Sequence, residues 1–201
     1  KRQMNTLKAE KRSMDVKAKK LRREGYVTGN VFGREIKGSI PVKMDKLEVD
    51  RILAAAGKGS QVMLDVEGEK YDVLIKEIDY NTLTRRVEEI DFQALVSNEK
   101  VHSVAEIVLI NHDKLAAGVA QEMLHEVSYK ALPAALVDKI KIDISSMEVG
   151  DTIRVKDLEI AGNKDIDILT DLDTPVVTVT AVHNVVPEAE TAEGEGEEAA
   201  K

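Results

Sequence analysis

The sequence predicts a mainly β protein made of two β-rich blocks, with one good helix in the first block and an acidic tail. Three observations carry this reading. Segments of β-branched residues in near-alternation recur along most of the chain. Hydrophobic residues make up 43 %, enough for a sizeable core, but with no Trp, two Phe and four Tyr that core has to be aliphatic. The charge is also polarised: residues 1–95 carry a net +4 and residues 96–201 a net −12, within an overall −8. At 201 residues the chain has room for one large domain or two small ones, since domains run to about 100–200 residues.

In the first block, Val31 to Val42 alternates loosely, with turn residues at Gly33 and Gly38. Asp45 is placed to cap a helix, with Glu48 three residues on and Gly57 as its close. Leu47, Ile52, Leu53 and Ala56 give that helix an apolar stripe suited to a lid or brace. Gln61 to Val66 and Tyr71 to Ile78 flank Glu67-Gly68-Glu69-Lys70 as a hairpin. Tyr80 to Arg86 reads as a polar loop and Val87 to Leu95 as another strand. Residues 96–100 form a short linker. Val101 to Ile110, Asp138 to Ile144, Asp151 to Ile160 and Pro175 to Val186 are β-like. Ala117 to Leu132 fits either a helix or a strand. Residues 188–201 lack large apolar groups and are expected to be disordered. The domains are thus 1–95, 96–187 and the tail 188–201.

Several functional classes fall away. The absence of Cys removes disulfides, thiol nucleophiles, zinc ribbons and iron–sulfur ligation together. No apolar run approaches the roughly 18 residues of a membrane span, and Lys1 to Met14 has no hydrophobic stretch, so neither export nor membrane insertion is expected. Gly57-Lys58-Gly59-Ser60 fails as a phosphate loop, because Ile52 stands where the first Gly belongs and Gly59 separates Lys58 from Ser60. His102, His112, His125 and His183 lack ligand spacing. Asp165, Asp167, Asp171 and Asp173 lack the glycine and terminal Glu of a calcium loop. No nucleophile, base and oxyanion donor are grouped, so neither an enzyme nor a metal or cofactor is expected.

The informative stretch runs from Arg12 to Gly33. Arg12, Lys17, Lys19, Lys20, Arg22 and Arg23 put six cations within twelve residues, with Leu21 as the large apolar side chain in their midst. Leu21 pins the segment to a core while the cations face outward. Gly25, Gly29 and Gly33 then permit turns and a close approach of backbone to a partner. Cations on a turn-rich β scaffold suit phosphate contacts. The scarcity of aromatics favours duplex-like RNA, read across its shallow groove, over stacked single strands.

Lys19-Lys20-Leu21-Arg22-Arg23 through Val31-Phe32-Gly33 resembles the opening signature of the bacterial large-subunit ribosomal protein twenty-five family. Glu89-Ile90-Asp91-Phe92 resembles a second family motif. Ala131-Leu132-Pro133-Ala134, Lys141-Ile142-Asp143-Ile144, Met147 to Asp151 and Arg154 to Leu158 resemble the C-terminal domain of its longer, two-domain form, the general stress protein Ctc type. The resemblance spans residues 7 to about 186. It implies an N-terminal β-barrel that binds 5S rRNA at the loop E region, a C-terminal β domain directed away from that contact, and a cytoplasmic, ribosomal location. It further implies large-subunit proteins and rRNA as partners and a monomer off the ribosome. Arg12, Lys17, Lys19, Lys20, Arg22 and Arg23 would then meet phosphates and groove edges. Phe32 replaces a Tyr and loses its hydroxyl, Thr28 replaces a Pro, and Asp91 keeps an acid that accepts hydrogen bonds in the RNA-facing site. Glu89 replaces a His and puts a carboxylate toward RNA, with Arg85 and Arg86 close enough in sequence to compensate. The alternative is a stress-linked RNA- or protein-binding factor of the same fold acting off the ribosome.

Overall fold

A computed structural model describes residues 5–115 and 117–181. The expected disordered tail, 188–201, and His183 lie outside the described residues. The first half is a closed six-stranded barrel. Its strands are β1 (Thr6–Lys11), β2 (Tyr26–Phe32), β3 (Ser39–Asp45), β4 (Gln61–Val66), β5 (Glu69–Asn81) and β6 (Arg86–Ala94). Their order around the barrel is β1-β3-β2-β6-β5-β4. The neighbours β1 and β4 run parallel, as do β2 and β6. Among the described residues this half has two helices, α1 (Ala18–Arg23) and α2 (Lys46–Ala55).

Alternation decides which side chains enter the barrel. Leu7, Val27, Val31, Val42, Met44, Val62, Leu64, Val66, Val73, Ile75, Ile90 and Phe92 are all buried and share one core, which is aliphatic apart from Phe92. β1 has no sequence signal of its own, since it contributes two inward residues, Leu7 and Ala9, from a stretch that otherwise reads as a polar, basic start. α2 closes the barrel as expected from its cap: Asp45 Oδ1 accepts from the Leu47 and Glu48 amides at 2.8 and 3.3 Å. Most of its expected stripe is buried: Ile52 and Ala56 point inward and Leu53 packs partly buried on the core, while Leu47 is 74 % exposed and Val49 takes its place at helical spacing. The β4–β5 hairpin turns through Glu67 and Gly68, both left-handed (φ 53° and 96°), the backbone that a tight two-residue turn requires.

The second half begins at β7 (Val101–Ile110). It continues with β8 (Val119–Glu122), β9 (Glu126–Ala131), β10 (Lys139–Asp143), β11 (Thr152–Arg154), β12 (Ile166–Ile168) and β13 (Pro175–Thr180). One sheet has the order β10-β7-β9-β12, and a second has β11-β13-β8. The ambiguous stretch 117–132 therefore holds the two strands β8 and β9, broken at 123–125, and no helix. Their core holds Ala105, Ile107, Val127, Ile140, Ile142, Ile144, Val155, Val177 and Val179. Tyr129 is buried there with its hydroxyl satisfied, donating to the Val137 carbonyl and accepting from the Val137 amide, each at 2.7 Å. Among the described residues, no helix is long and apolar enough to cross a membrane.

The failed phosphate-loop motif turns out to be where the two halves meet. The Gly57 amide donates to Ser60 Oγ, closing a tight turn, and the Gly59 amide donates to the Ile75 carbonyl at 2.8 Å. Gly59 has φ +84°, and a Cβ there would fall 2.0 Å from the Val104 carbonyl oxygen of β7. Leu74, between the inward Val73 and Ile75, points out of the barrel into the core of the second half. Lys76 donates its Nζ to the His102 carbonyl at 2.8 Å. Burial, with Lys58 nearby, pulls the Lys76 ammonium below the usual lysine range.

This contact yields a paired prediction. Gly68→Ala meets no atom within 4 Å and carries backbone strain alone, about 1–2 kcal/mol. Gly59→Ala adds the steric conflict with β7 and is expected to cost about 3 kcal/mol or more. Thermal unfolding should show the second variant melting well below the first, by roughly 2–4 °C per kcal/mol. Equal midpoints would mean that β7 yields freely at this contact.

Candidate nucleic-acid interface

The basic segment, to which the sequence reading assigned no element, forms a short helix at Ala18–Arg23 on the β scaffold. Ala, Lys, Leu and Arg are all good helix formers, and the cations Lys20, Arg22 and Arg23 lie in the last turn, where the helix dipole favours positive charge. One side chain, Leu21, is buried (6 % exposed), so the pinning role expected of it holds. α1 packs on β2. Gly25 then leads into the strand, and its carbonyl accepts from the Lys46 amide at the start of α2.

A cleft of about 770 Å³ opens beside α1. It is lined by Lys19, Arg22 and Arg23 from α1, Lys46 from α2, and Arg86 from the start of β6, with Asn81 and Glu88 also in its wall. Three distant parts of the chain thus bring five cations around one cavity, with Glu88 in its wall and Glu89 on the adjoining strand face. The neighbouring outer face belongs to the parallel β2–β6 pair, where Thr28 lies opposite Glu89, Asn30 opposite Asp91, and Phe32 opposite Gln93. Asn30 Nδ2 donates to both Glu89 Oε1 and Asp91 Oδ1, at 3.3 and 3.4 Å.

The sequence-predicted residues therefore separate into groups. Lys19, Arg22, Arg23 and Arg86 line the cleft. Phe32, Glu89 and Asp91 lie along the strand face beside it. Lys17 is the exposed residue before α1, and Lys20, also exposed, faces Glu24 at 3.9 Å. Arg12 is half-buried and closes its own loop, with Nη2 donating to the Val16 carbonyl at 3.2 Å. Arg85 sits at the β5–β6 turn in a left-handed conformation and does not line the cleft. The cation that meets Glu89 is neither Arg85 nor Arg86 but Arg22, whose Nη2 lies 3.6 Å from Glu89 Oε2. Lys46, Asn30, Asn81 and Glu88 went unnoticed in the sequence. Asn30 reaches the site through the non-local β2–β6 pairing, Asn81 and Glu88 through the β5–β6 hairpin, and Lys46 as the first residue of α2 after the capping Asp45.

Tyr26, also in the wall of the cleft, lies under Lys43 Nζ at 4.8 Å, and Lys43 pairs with Glu10 at 2.8 Å. The bond to Glu10 raises the Lys43 ammonium above the usual lysine range. Among the described residues, no group of three or more His, Asp or Glu side chains is arranged to hold a metal ion. Asp167 and Asp173 are engaged by Lys100 at 2.6 Å and Lys156 at 3.0 Å, each of which holds its carboxyl below the usual range. What the cleft offers chemically is charge complementarity to a polyanion, with an adjoining face of amide and carboxylate groups that can read hydrogen bonds.

The roles of neighbouring residues in α1 can be separated by urea denaturation. Leu21→Ala should cost about 2–3 kcal/mol, the low end for a buried leucine because the helix lies at the surface. Lys20→Ala should change stability by less than about 0.5 kcal/mol, since an exposed pair of this kind contributes little. Equal losses would place Lys20, and not Leu21, in the packed face.

Residues 7–92 match the Ribosomal L25p family, and residues 100–183 match the C-terminal domain of ribosomal protein TL5. Large ribosomal subunit protein bL25 of Listeria monocytogenes serotype 4b is 31 % identical over 204 residues, covering 96 % of this chain and 97 % of its own. The bL25 protein of Bacillus velezensis is 33 % identical over 165 residues, 80 % of this chain and 81 % of its own. That of Caldanaerobacter subterraneus is 29 % identical over 194 residues, 95 % and 96 % of the two chains. Both halves match in order, and the similarity runs through the strands that build the cleft as well as those beyond it. The chain belongs to the bL25 family of large-subunit ribosomal proteins, in the long form that carries a TL5-type C-terminal domain.

Proposed function

We propose that this chain binds 5S rRNA at its loop E region, through the cleft beside α1 and the adjoining outer face of β2 and β6. Membership of the bL25 family makes it a structural, non-enzymatic, rRNA-binding protein of the bacterial ribosome. Within that role, residues 1–95 form the RNA-binding domain and 96–187 a second domain turned away from the RNA. The protein is a monomer until it docks.

The observation that carries this reading is the convergence of Lys19, Arg23, Lys46 and Arg86 on one cavity from three parts of the chain. Among the described residues, none of these four has a carboxylate within 4 Å, so their charge is available to phosphates. An A-form duplex suits such a surface, because its shallow groove is read by shape, 2′-hydroxyls and phosphates without base stacking. Asn30, Asp91 and Phe32 follow along the β2–β6 strand face that leads away from the cleft and would meet groove edges. The net −12 of residues 96–201 disfavours a second polyanion contact there.

The full-length double variant Lys19→Ala, Arg23→Ala tests the site. Each phosphate contact contributes about 0.7–0.9 to the slope of log affinity against log salt, so the slope for transcribed 5S rRNA should flatten by roughly 1.4–1.8. An unchanged slope would remove the cleft from the interface. Equal affinity of the native chain for an unrelated structured RNA of the same length would count against 5S rRNA as the specific target.

A further inference from the structure

We infer that Glu88 and Glu89 are specificity-determining residues of the RNA cleft, acting as built-in counterions that withhold Arg22 from phosphate. This rests on the cleft being the RNA site, as proposed above. The contacts of Arg22 set it apart from its neighbours. Its Nε donates to the Glu88 carbonyl at 3.2 Å, its Nη1 lies 3.4 Å from Glu88 Oε2, and its Nη2 lies 3.6 Å from Glu89 Oε2. One guanidinium thus faces two carboxylates and a carbonyl.

Two consecutive glutamates on a regular strand would point to opposite faces. Here they converge on one arginine because β6 carries a bulge. Asp79 lies opposite Glu89 and Tyr80 opposite Val87, leaving Glu88 without a partner in the register. A bulge of this kind re-aims the side chain at the extra position. Both carboxylates are also held in place. Asn81 Nδ2 donates to Glu88 Oε1 at 2.9 Å, and Asn30 Nδ2 donates to Glu89 Oε1 at 3.3 Å. The buried Thr28 hydroxyl shares the Glu88 carbonyl with Arg22, donating to it at 3.2 Å.

Carboxylates at a polyanion-binding surface lower affinity, and they lower it most for ligands that bind by charge alone. A non-specific polyanion gains mainly from counterion release, and an arginine already matched by two carboxylates adds little to that term. A shape-matched RNA keeps its groove contacts and loses proportionately less. The acid pair therefore widens the gap between the right partner and any other polyanion, which is what specificity consists of. Arg22 itself is a positioning residue, tying α1 to β6 so that Lys19 and Arg23 face the cleft.

The test measures salt-dependent affinity of the full-length chain for 5S rRNA and for heparin. The variants are the double change Glu88→Gln with Glu89→Gln, and the same double change combined with Arg22→Ala. The isosteric double Gln variant should steepen both slopes by roughly one unit and raise heparin affinity about tenfold, with a smaller gain for 5S rRNA. Adding Arg22→Ala to it should abolish that gain. A double Gln variant with unchanged heparin binding would overturn the inference, as would one whose gain for 5S rRNA equals its gain for heparin. Because the Gln variants preserve shape, the comparison of the native chain with the double variant does not depend on how Arg22→Ala affects α1. The Lys19→Ala, Arg23→Ala variant separates the two claims. If it leaves 5S rRNA binding untouched, the RNA assignment of the cleft fails, while the heparin comparison still decides the counterion role.

Discussion

The parallel pairing of β2 with β6 is the constraint on which the rest of this molecule depends. It joins residues 28–32 to residues 89–93, about sixty positions apart, and closes the barrel on the side that carries the cleft. It brings Asn30 to Glu89 and Asp91, and Thr28 to the Glu88 carbonyl. It provides the floor on which α1 is seated, so the basic helix and the β5–β6 end come to line one cavity. A parallel pair has no hairpin to nucleate it and needs the intervening strands in place. The cleft therefore depends on closure of the whole barrel and not on any one segment.

Within that frame the cations are not equivalent. Arg22 is matched by Glu88 and Glu89, Lys20 by Glu24 on the next turn, and Lys43 by Glu10 across the sheet. Lys19, Arg23, Lys46 and Arg86 have no such partner among the described residues. A uniformly basic surface would bind any polyanion. Division of the charge into held and available groups, on a rigid aliphatic barrel, gives a surface with a defined shape as well as a sign.

The second half is attached by more than its linker. The Gly57–Ser60 turn abuts β7, Leu74 enters the neighbouring core, and Lys76 reaches the His102 carbonyl. Gly59 has to lack a side chain because the Val104 carbonyl occupies the space. A motif with the look of nucleotide chemistry is thus accounted for by packing. The acidic character of this half and the basic character of the cleft are kept in separate parts of one chain.

By itself the sequence determined the class of structure and the sign of its partner. The alternating strands, the Asp45-capped helix, the Glu67-Gly68 hairpin and the pinning role of Leu21 are local signals, carried by side-chain period, capping and turn chemistry. The family signatures lay in contiguous residues and could be read there too. Tertiary structure decided what depends on distant partners. β1 is held by pairing with β3 and β4 more than by its own pattern, and 117–132 became strand because β13 and β7 offered it edges. The basic run became a helix with one buried residue. Of its six cations, Arg22 meets carboxylates more than sixty residues away while Lys20 meets Glu24 on the next turn, and the bulge that turns Glu88 toward Arg22 exists only in the register of β5 against β6. Composition counts charges along the chain, whereas closure of the barrel determines which of them face each other and which face solvent.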